Sequence, residues 1–233
     1  MAKHPTARRV HRSGSDEDSF ISGVLHSSTW AKQNGRPLLI GGLVVLAALL
    51  GLVYARSKGA AKIEGANTEI ANVRATAQTD NVQLAKQDLE AFIKKYDGTG
   101  PADEAKLMLA QVQLESNQPK EAITTLRDLA GDPKNPVGYS AALLLGAAYE
   151  VDNQPSQAEQ TYLRTADRAQ FEFQKVQALD RVARVRMNNN NPQGAAEIYE
   201  RILGLFESDD PARNEFEMRL AELRAQSTAA TQS

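Results

Sequence analysis

Cysteine is absent from the sequence, and the three histidines all lie before residue 37. The absence of cysteine excludes disulfide bonds, thiolate nucleophiles and cysteine-ligated zinc. The chain after residue 36 therefore lacks the side chains that most often serve as general bases and transition-metal ligands. We expect a protein with no catalytic residues, no metal and no cofactor, and so one that is not an enzyme.

Phosphate-binding loops are also missing from the sequence. The stretch "GTGP" at residues 98–101 lacks the Lys-Ser/Thr ending of such a loop. The acidic pairs Asp103-Glu104 and Asp209-Asp210 stand beside prolines at predicted helix starts. Carboxylates at helix starts cap backbone N–H groups and face the positive end of the helix dipole. We interpret both pairs as structural.

Basic residues cluster at Arg181, Arg184 and Arg186, and acids such as Asp180 are adjacent to them. On a helix Arg181 and Arg184 share a face, and ion pairing within the protein is favoured over an anionic ligand site. Residues 56–233 carry 21 Lys/Arg against 26 Asp/Glu. This acidic balance argues against nucleic acid as a partner.

Residues 37–55 form an uncharged stretch of nineteen residues. As a helix this stretch would extend about 28 Å, close to the thickness of a bilayer core. We predict a transmembrane helix, and the excess of Lys/Arg before it predicts a cytoplasmic N-terminus. Residues 1–36 would be a cytoplasmic arm with a short amphipathic helix starting near Ser15, where a capping signal precedes apolar residues at helical spacing.

Two alternatives to an anchor stay open. A buried core helix is one, and a cleaved signal peptide is the other, because Val53-Tyr54-Ala55 and Lys58-Gly59-Ala60 resemble small-residue cleavage sites. Anchor and signal would both carry the rest of the chain out of the cytoplasm. Within the span, Ala47, Gly51 and Ala55 share one face, which either contacts another transmembrane helix or is simple filler.

A similar tripeptide occurs three times along the chain, as Asn117-Gln118-Pro119, Asn153-Gln154-Pro155 and Asn190-Asn191-Pro192. Asparagine tolerates the left-handed conformation that ends a helix, and proline suits the first position of the next one. Each turn therefore predicts a helical hairpin. The intervals of 36 and 37 residues indicate a repeat, and a hairpin of this kind buries its apolar face only against stacked neighbours.

Small residues recur at fixed distances from these turns. In each unit a large apolar side chain follows the second small residue after four positions. The small positions predict close helix crossing, with the large side chain filling the space beside them. An earlier unit supplies Ala85 and Leu89 but lacks the turn proline. The three complete units contain Ala110, Ala122 and Leu126; Gly146, Ala158 and Tyr162; and Ala183, Ala195 and Tyr199.

The predicted architecture is all-α: one N-terminal transmembrane helix, then an α-solenoid of about four hairpins and a C-terminal capping helix. The repeat domain would cover residues 56–226, followed by a disordered tail at 227–233. The predicted helices span about 60–78, 81–96, 103–116, 119–130, 138–151, 155–168, 172–187 and 192–206, with the capping helix ending near 225.

The repeat resembles the tetratricopeptide repeat. The family pattern is met most fully by Leu145-Gly146-Ala147-Ala148-Tyr149, followed by Ala158 and Tyr162. Two features depart from the consensus: no unit has its tryptophan, and the pitch exceeds the usual 34 residues by two or three.

A closer resemblance rests on Trp30, Asn34, the single span and "FIKKYDGTGPADEAKLMLA" at residues 92–110. In this layout the chain resembles the YfgM-like family of ancillary Sec translocon subunits. The resemblance implies a single-pass protein of the bacterial inner membrane with an extracytoplasmic adaptor domain. Its partners would be translocon subunits, periplasmic chaperones or exported clients. The alternative is a self-associating structural scaffold of the envelope.

In tetratricopeptide arrays the first helix of each hairpin usually lines a concave, ligand-binding face. Transferred by the repeat alignment, this resemblance implies a groove for protein segments, although the same residues would also serve merely to keep that face soluble. We call these twelve residues the predicted groove: Glu104, Leu107, Gln111, Leu114, Ser140, Leu143, Ala147, Glu150, Gln177, Asp180, Arg184 and Met187.

Overall fold

A computed structural model describes the backbone of residues 35–78 and 81–231 and the side chains of residues 40–54, 56–78 and 81–225. Residues 1–34 of the predicted cytoplasmic arm, including Trp30 and Asn34, lie outside the described residues. Within the described ranges every regular element is helical, which confirms the all-α prediction. The helices are α1 Gly35–Ala77, α2 Val82–Tyr96, α3 Gly100–Glu115, α4 Pro119–Leu126, α5 Pro136–Val151, α6 Pro155–Arg168, α7 Glu172–Asn188, α8 Pro192–Leu203 and α9 Arg213–Thr231, with a 3₁₀ turn at Leu129–Gly131.

The chain divides into two compact units, Met1–Ala60 and Ala61–Ser233. In the first unit, every described side chain from Ile40 to Tyr54 is exposed. The large apolar ones among them are 50–63% exposed. A buried core helix is therefore the wrong interpretation of this stretch. Among the described helices, α1 is long and apolar enough to cross a membrane, by length and composition.

Helix α1 is continuous over 43 residues, whereas the sequence predicted separate helices at 37–55 and 60–78. The physical reason is that nothing ends the first helix. No proline occurs between Pro37 and Pro101, and the intervening glycines each cost a helix only about 1 kcal/mol.

The second unit is a stack of hairpins joined by the repeated turns. Asn117, Asn153 and Asn190 all have positive φ, at 57°, 53° and 56°. In each turn the N–H of the following residue donates to the carbonyl five residues earlier, at 2.8 to 2.9 Å, as in a Schellman motif. The proline then occupies the first turn of the next helix. The predicted hairpin turns are confirmed.

Close helix crossing is clearest at Gly146. A Cβ added to this residue would lie 2.3 Å from a ring carbon of Tyr162, which is fully buried. The Tyr162 hydroxyl donates to Glu150 Oε1 at 2.6 Å, so the ring bridges α5 and α6 without an unsatisfied polar atom. The paired small residues Ala110 and Ala122, and Ala183 and Ala195, are fully buried as well.

The core consists of successive apolar clusters shared between neighbouring helices. The first joins α1, α2 and α3, through residues such as Ile70, Phe92 and Leu109. The next joins α3, α4 and α5, and the last runs from α6 to α9. Each hairpin therefore buries its apolar face against the next one, as a solenoid requires.

Several helix ends differ from prediction. Helix α3 begins at Gly100 because the Thr99 side chain accepts from Ala102 N–H and Pro101 fits the first turn. Helix α4 ends at Leu126, with a 3₁₀ turn before Asp132-Pro133, where the proline disfavours helical geometry in the preceding residue. Helix α9, predicted to end near residue 225, runs to Thr231.

Candidate protein-binding surface

The predicted groove residues lie on α3, α5 and α7, and none of them is buried. The larger apolar ones are not free to bind a partner in full. Leu107 and Leu114 pack on one core cluster, while Leu143 and Met187 pack on another. These side chains are half-buried by the protein itself.

The polar members of the predicted groove are largely engaged within the protein. Glu104 pairs with Arg74, and Glu150 accepts from Tyr162. Gln177 accepts from the Tyr139 hydroxyl at 2.7 Å. The concave face as a whole therefore stays a prediction.

Two of the three clustered arginines, Arg184 and Arg186, make the predicted ion pairs. Arg184 lies 3.5 Å from Asp180, one helical turn away on α7. Arg186 reaches Glu159 on α6 at 2.8 Å and donates to the Gly194 carbonyl on α8 at 2.9 Å. These contacts hold three helices together and leave little reason to assign an anion site here.

A cavity of about 780 Å³ lies between α7, the loop after α8 and the start of α9. Its size falls in the range of about 300–1,000 Å³ that is usual for ligand pockets. We call it the C-terminal groove. Its lining residues are Glu172, Phe173, Val176, Gln177, Asp180, Leu205, Phe206, Glu207, Asp209, Asp210, Ala212, Glu215, Phe216 and Arg219.

The floor of the C-terminal groove is aromatic. The rings of Phe206 and Phe216 stack with centroids 5.8 Å apart, and Tyr199 approaches Phe216 at 6.2 Å. At the mouth, Phe173 is 67% exposed and stacks on Phe171, which is 51% exposed. Phe171 and Phe173 thus form an exposed apolar patch, a kind of surface that is often found at interaction sites.

Arg219 is the basic residue of this lining. Its guanidinium lies 2.5 Å from Asp180 and 2.6 Å from Glu215, and it sits over the rings of Tyr199 and Phe216. A hydrogen bond with Tyr199 raises the pKa of Arg219 further, and the two carboxylates act in the same direction. Arg219 therefore lines the groove as a cation whose charge is balanced by Asp180 and Glu215.

Four further carboxylates surround the groove without forming an ion pair among the described residues: Glu172, Glu207, Asp209 and Asp210. Asp210 accepts from Ala212 N–H, which is a capping contact. The groove therefore combines an apolar floor with a net negative rim.

The sequence alone did not indicate most of this groove: of its lining, only Gln177 and Asp180 belong to the predicted groove, and Asp209-Asp210 was interpreted as structural. One signal was available. Phe173 lies four residues before Gln177 and seven before Asp180, a spacing that places all three side chains on one face of a helix.

A second cavity, of about 580 Å³, lies beside the end of α1 and contains Glu104 and Gln111 of the predicted groove. Its walls are mainly polar, and the Arg74–Glu104 ion pair lies across it. In the part of the chain that the structure describes, no group of three or more acidic or histidine side chains is arranged to hold a metal ion.

Stacked helical hairpins with left-handed turn asparagines define an α-solenoid of the tetratricopeptide type. Residues 28–225 match the family model described as tetratricopeptide repeat-like domain. The chain belongs to this family. Proteins with this fold generally act as scaffolds for protein–protein interaction and are typically not enzymes.

Solved structures show the same fold. The chain is similar to the nearly identical TPR-like repeats of a Podosopora anserina protein described as a kinesin light chain, with a TM-score of 0.54 and 18% identity. That match covers 71% of this chain and 90% of the other. A single-substitution variant of those repeats matches with a TM-score of 0.53 and 19% identity, covering 71% and 89%. No curated protein matches the chain.

Proposed function

We propose that this protein is a membrane-anchored adaptor whose extracytoplasmic repeat domain binds segments of other proteins. The observation that carries the proposal is the C-terminal groove, where exposed Phe173 and half-buried Phe206 offer apolar surface above a floor anchored by the core residue Phe216. Protein-binding sites on repeat arrays are shapes lined by such anchors, and no reactive group is needed.

Membrane anchoring is supported by the exposed apolar surface of α1. Side chains such as Leu43, Leu46 and Val53 are more than half exposed, which is costly in water and favourable in lipid. The Lys/Arg excess before this stretch supports a single-pass protein with a cytoplasmic N-terminus. An anchor would raise the local concentration of the repeat domain at the membrane, so weak contacts would suffice.

For the partners, we propose translocon subunits, periplasmic chaperones or exported clients at a bacterial inner membrane. This part rests on the resemblance carried by residues 92–110 and by the single apolar span. The predicted groove on α3, α5 and α7 would extend the contact surface beyond the C-terminal groove.

Site-specific photocrosslinking in cells tests the adaptor. A photoreactive amino acid replaces Phe173 in the full chain, and the control replaces Gln160, an exposed residue of α6. We expect partner adducts from position 173 and few from position 160. Equal labelling from both positions, or adducts with other copies of this chain alone, would contradict the adaptor.

A self-associating scaffold is the second candidate. It is favoured by the exposed small residues of α1, since a Cβ added to Gly51 would have no neighbouring atom within 4 Å and Ala47 is exposed on the same helix. The third residue of the predicted contact face, Ala55, lies outside the described side chains. Small residues on one face would let two spans approach closely. Mass measurement in detergent over a range of protein concentrations tests the scaffold, and stable oligomers that Gly51→Leu dissociates would favour it.

A further inference from the structure

We propose that the C-terminal groove selects protein segments in which Lys or Arg residues flank bulky apolar side chains. This inference rests on the proposed function, because it names the chemistry of the segment that the adaptor binds. It goes further in assigning the site to one end of the repeat array and in stating which charge the bound segment carries.

Apolar side chains line the floor of the C-terminal groove. Phe206 and Phe216 form a stacked pair, and Leu205 and Val176 extend that surface. Phe173 stands at the mouth with two thirds of its side chain exposed. A partner residue seated between Phe173 and the floor would remove water from the exposed Phe173 ring and from the accessible part of Phe206, while Phe216 stays buried beneath it. Burial of such anchor residues contributes most of the affinity of an interface.

Charged side chains line the rim of the C-terminal groove. Six carboxylates and one guanidinium line the groove. Asp180 and Glu215 are taken up by Arg219, and the remaining four carboxylates have no cationic partner among the described residues. Basic groups beside the anchor would meet these carboxylates, and such rim charges set selectivity and association rate more than affinity.

The same charges disfavour other occupants. Nucleic acid and anionic lipid headgroups would bring negative charge towards a negative rim. The other described cavities lack this contrast, since the one beside α4 is lined by Lys120, Arg127 and Asp152, with its charges nearly balanced. The combination of an aromatic floor and an acidic rim therefore points to a basic, apolar protein segment.

Peptide binding to the full chain in detergent tests this inference. The probe is a fluorescent twelve-residue peptide of alternating Lys and Leu/Phe pairs. Two matched peptides replace every Lys by Glu, or every Leu and Phe by Ser. Fluorescence anisotropy is measured at low and high salt. We expect the basic apolar peptide to bind at least tenfold more tightly than either matched peptide, with affinity falling as salt rises.

Variants separate the two halves of the site. Glu207→Gln with Asp209→Asn should weaken binding about three- to tenfold and flatten its salt dependence. Phe173→Ser should weaken binding at least fivefold and leave the salt dependence unchanged. Glu121→Gln with Asp128→Asn removes two exposed acids of the α4 region and should change neither property. Circular dichroism checks that each variant keeps its helix content.

Three outcomes would overturn the inference: equal affinity for basic and acidic peptides, unchanged binding in the rim variant, or equal losses in the rim and control variants. The proposed function fails separately. Partner adducts at position 173 without a preference for basic peptides would leave the adaptor and remove this inference. A preference for basic peptides without any cellular adduct would support the selectivity of the groove and contradict the adaptor.

Discussion

At the scale of single residues, the contact between Gly146 and Tyr162 shows why the repeat pattern requires small side chains. Ala110 and Ala183 hold the equivalent positions in the neighbouring units, yet this unit has glycine. The added Cβ would meet the Tyr162 ring at 2.3 to 2.7 Å, and the ring is buried with its hydroxyl fixed on Glu150. The ring therefore has little freedom to move away.

Gly146→Ala is expected to destabilise the protein by about 1–3 kcal/mol, because overpacking outweighs the better helix propensity of alanine. Urea unfolding of the full chain in detergent, followed by circular dichroism, measures the change. Gly100→Ala is the matched control, since no atom lies within 4 Å of its added Cβ. A neutral Gly146→Ala would show that the two helices can separate without cost.

Tyr139 provides a pH-dependent link between α5 and α7. Its hydroxyl lies 3.0 Å from the Gln174 carbonyl oxygen and 2.7 Å from Gln177 Oε1. Burial raises the pKa of Tyr139 to about 12, against a smaller opposing effect of Arg181. Because the folded-state pKa lies above the unfolded value of about 10, this contribution to stability is complete below pH 10 and is lost as the pH rises towards 12.

Comparison of wild type with Tyr139→Phe isolates this titration. We expect the wild-type denaturation midpoint to fall more steeply between pH 9.5 and 11.5 than that of the variant, which has no hydroxyl to ionise. The other ionisable groups are common to both proteins, so their contribution cancels in the difference. Parallel curves would mean that Tyr139 does not couple folding to pH.

At the scale of the secondary-structure elements, the three turns are the most predictable part of the protein. Their geometry depends on a local choice, an asparagine at positive φ followed by a proline in the first turn of the next helix. Such local choices can be read directly from the sequence. The end of α4, which lacks this signal, was predicted less well because a 3₁₀ turn follows the helix.

Asn153 tests the turn itself. Asn153→Ala is expected to cost about 1 kcal/mol, because alanine adopts the left-handed conformation less readily than asparagine. Asn153→Gly should recover most of that loss, since glycine has no Cβ to clash. Thermal unfolding of both variants gives the comparison. An alanine variant as stable as the glycine variant would indicate that positive φ at this turn carries no energetic cost.

At the scale of the whole molecule, the sequence predicted the repeat fold but located the candidate site only in part. The hairpin pattern follows from residues close together in the chain, whereas the C-terminal groove joins Phe173, Phe206 and Phe216 from three elements. No periodicity links these positions. Transfer of the concave face from the repeat family indicated which helices would line the groove, but not that Glu150 and Gln177 accept hydrogen bonds from Tyr162 and Tyr139.

The proposed topology has a direct test. Protease added to intact spheroplasts expressing the full chain should digest the repeat domain and leave a short fragment containing residues 37–55. An epitope tag at the N-terminus of the protein should stay protected from the protease. Protection of the repeat domain until the cells are lysed would contradict an extracytoplasmic location.

The C-terminal groove is built from the last hairpin and the helix that follows it, so its occupancy bears on how the stack comes apart. Linear arrays lose order most readily from their ends, where a unit has a neighbour on one side only. A bound segment would contact α7 and α9 together and so stabilise that end of the array against local unfolding. Amide hydrogens of α9 should then exchange with deuterium more slowly in the occupied protein, while those of α3 and α4 would exchange as before.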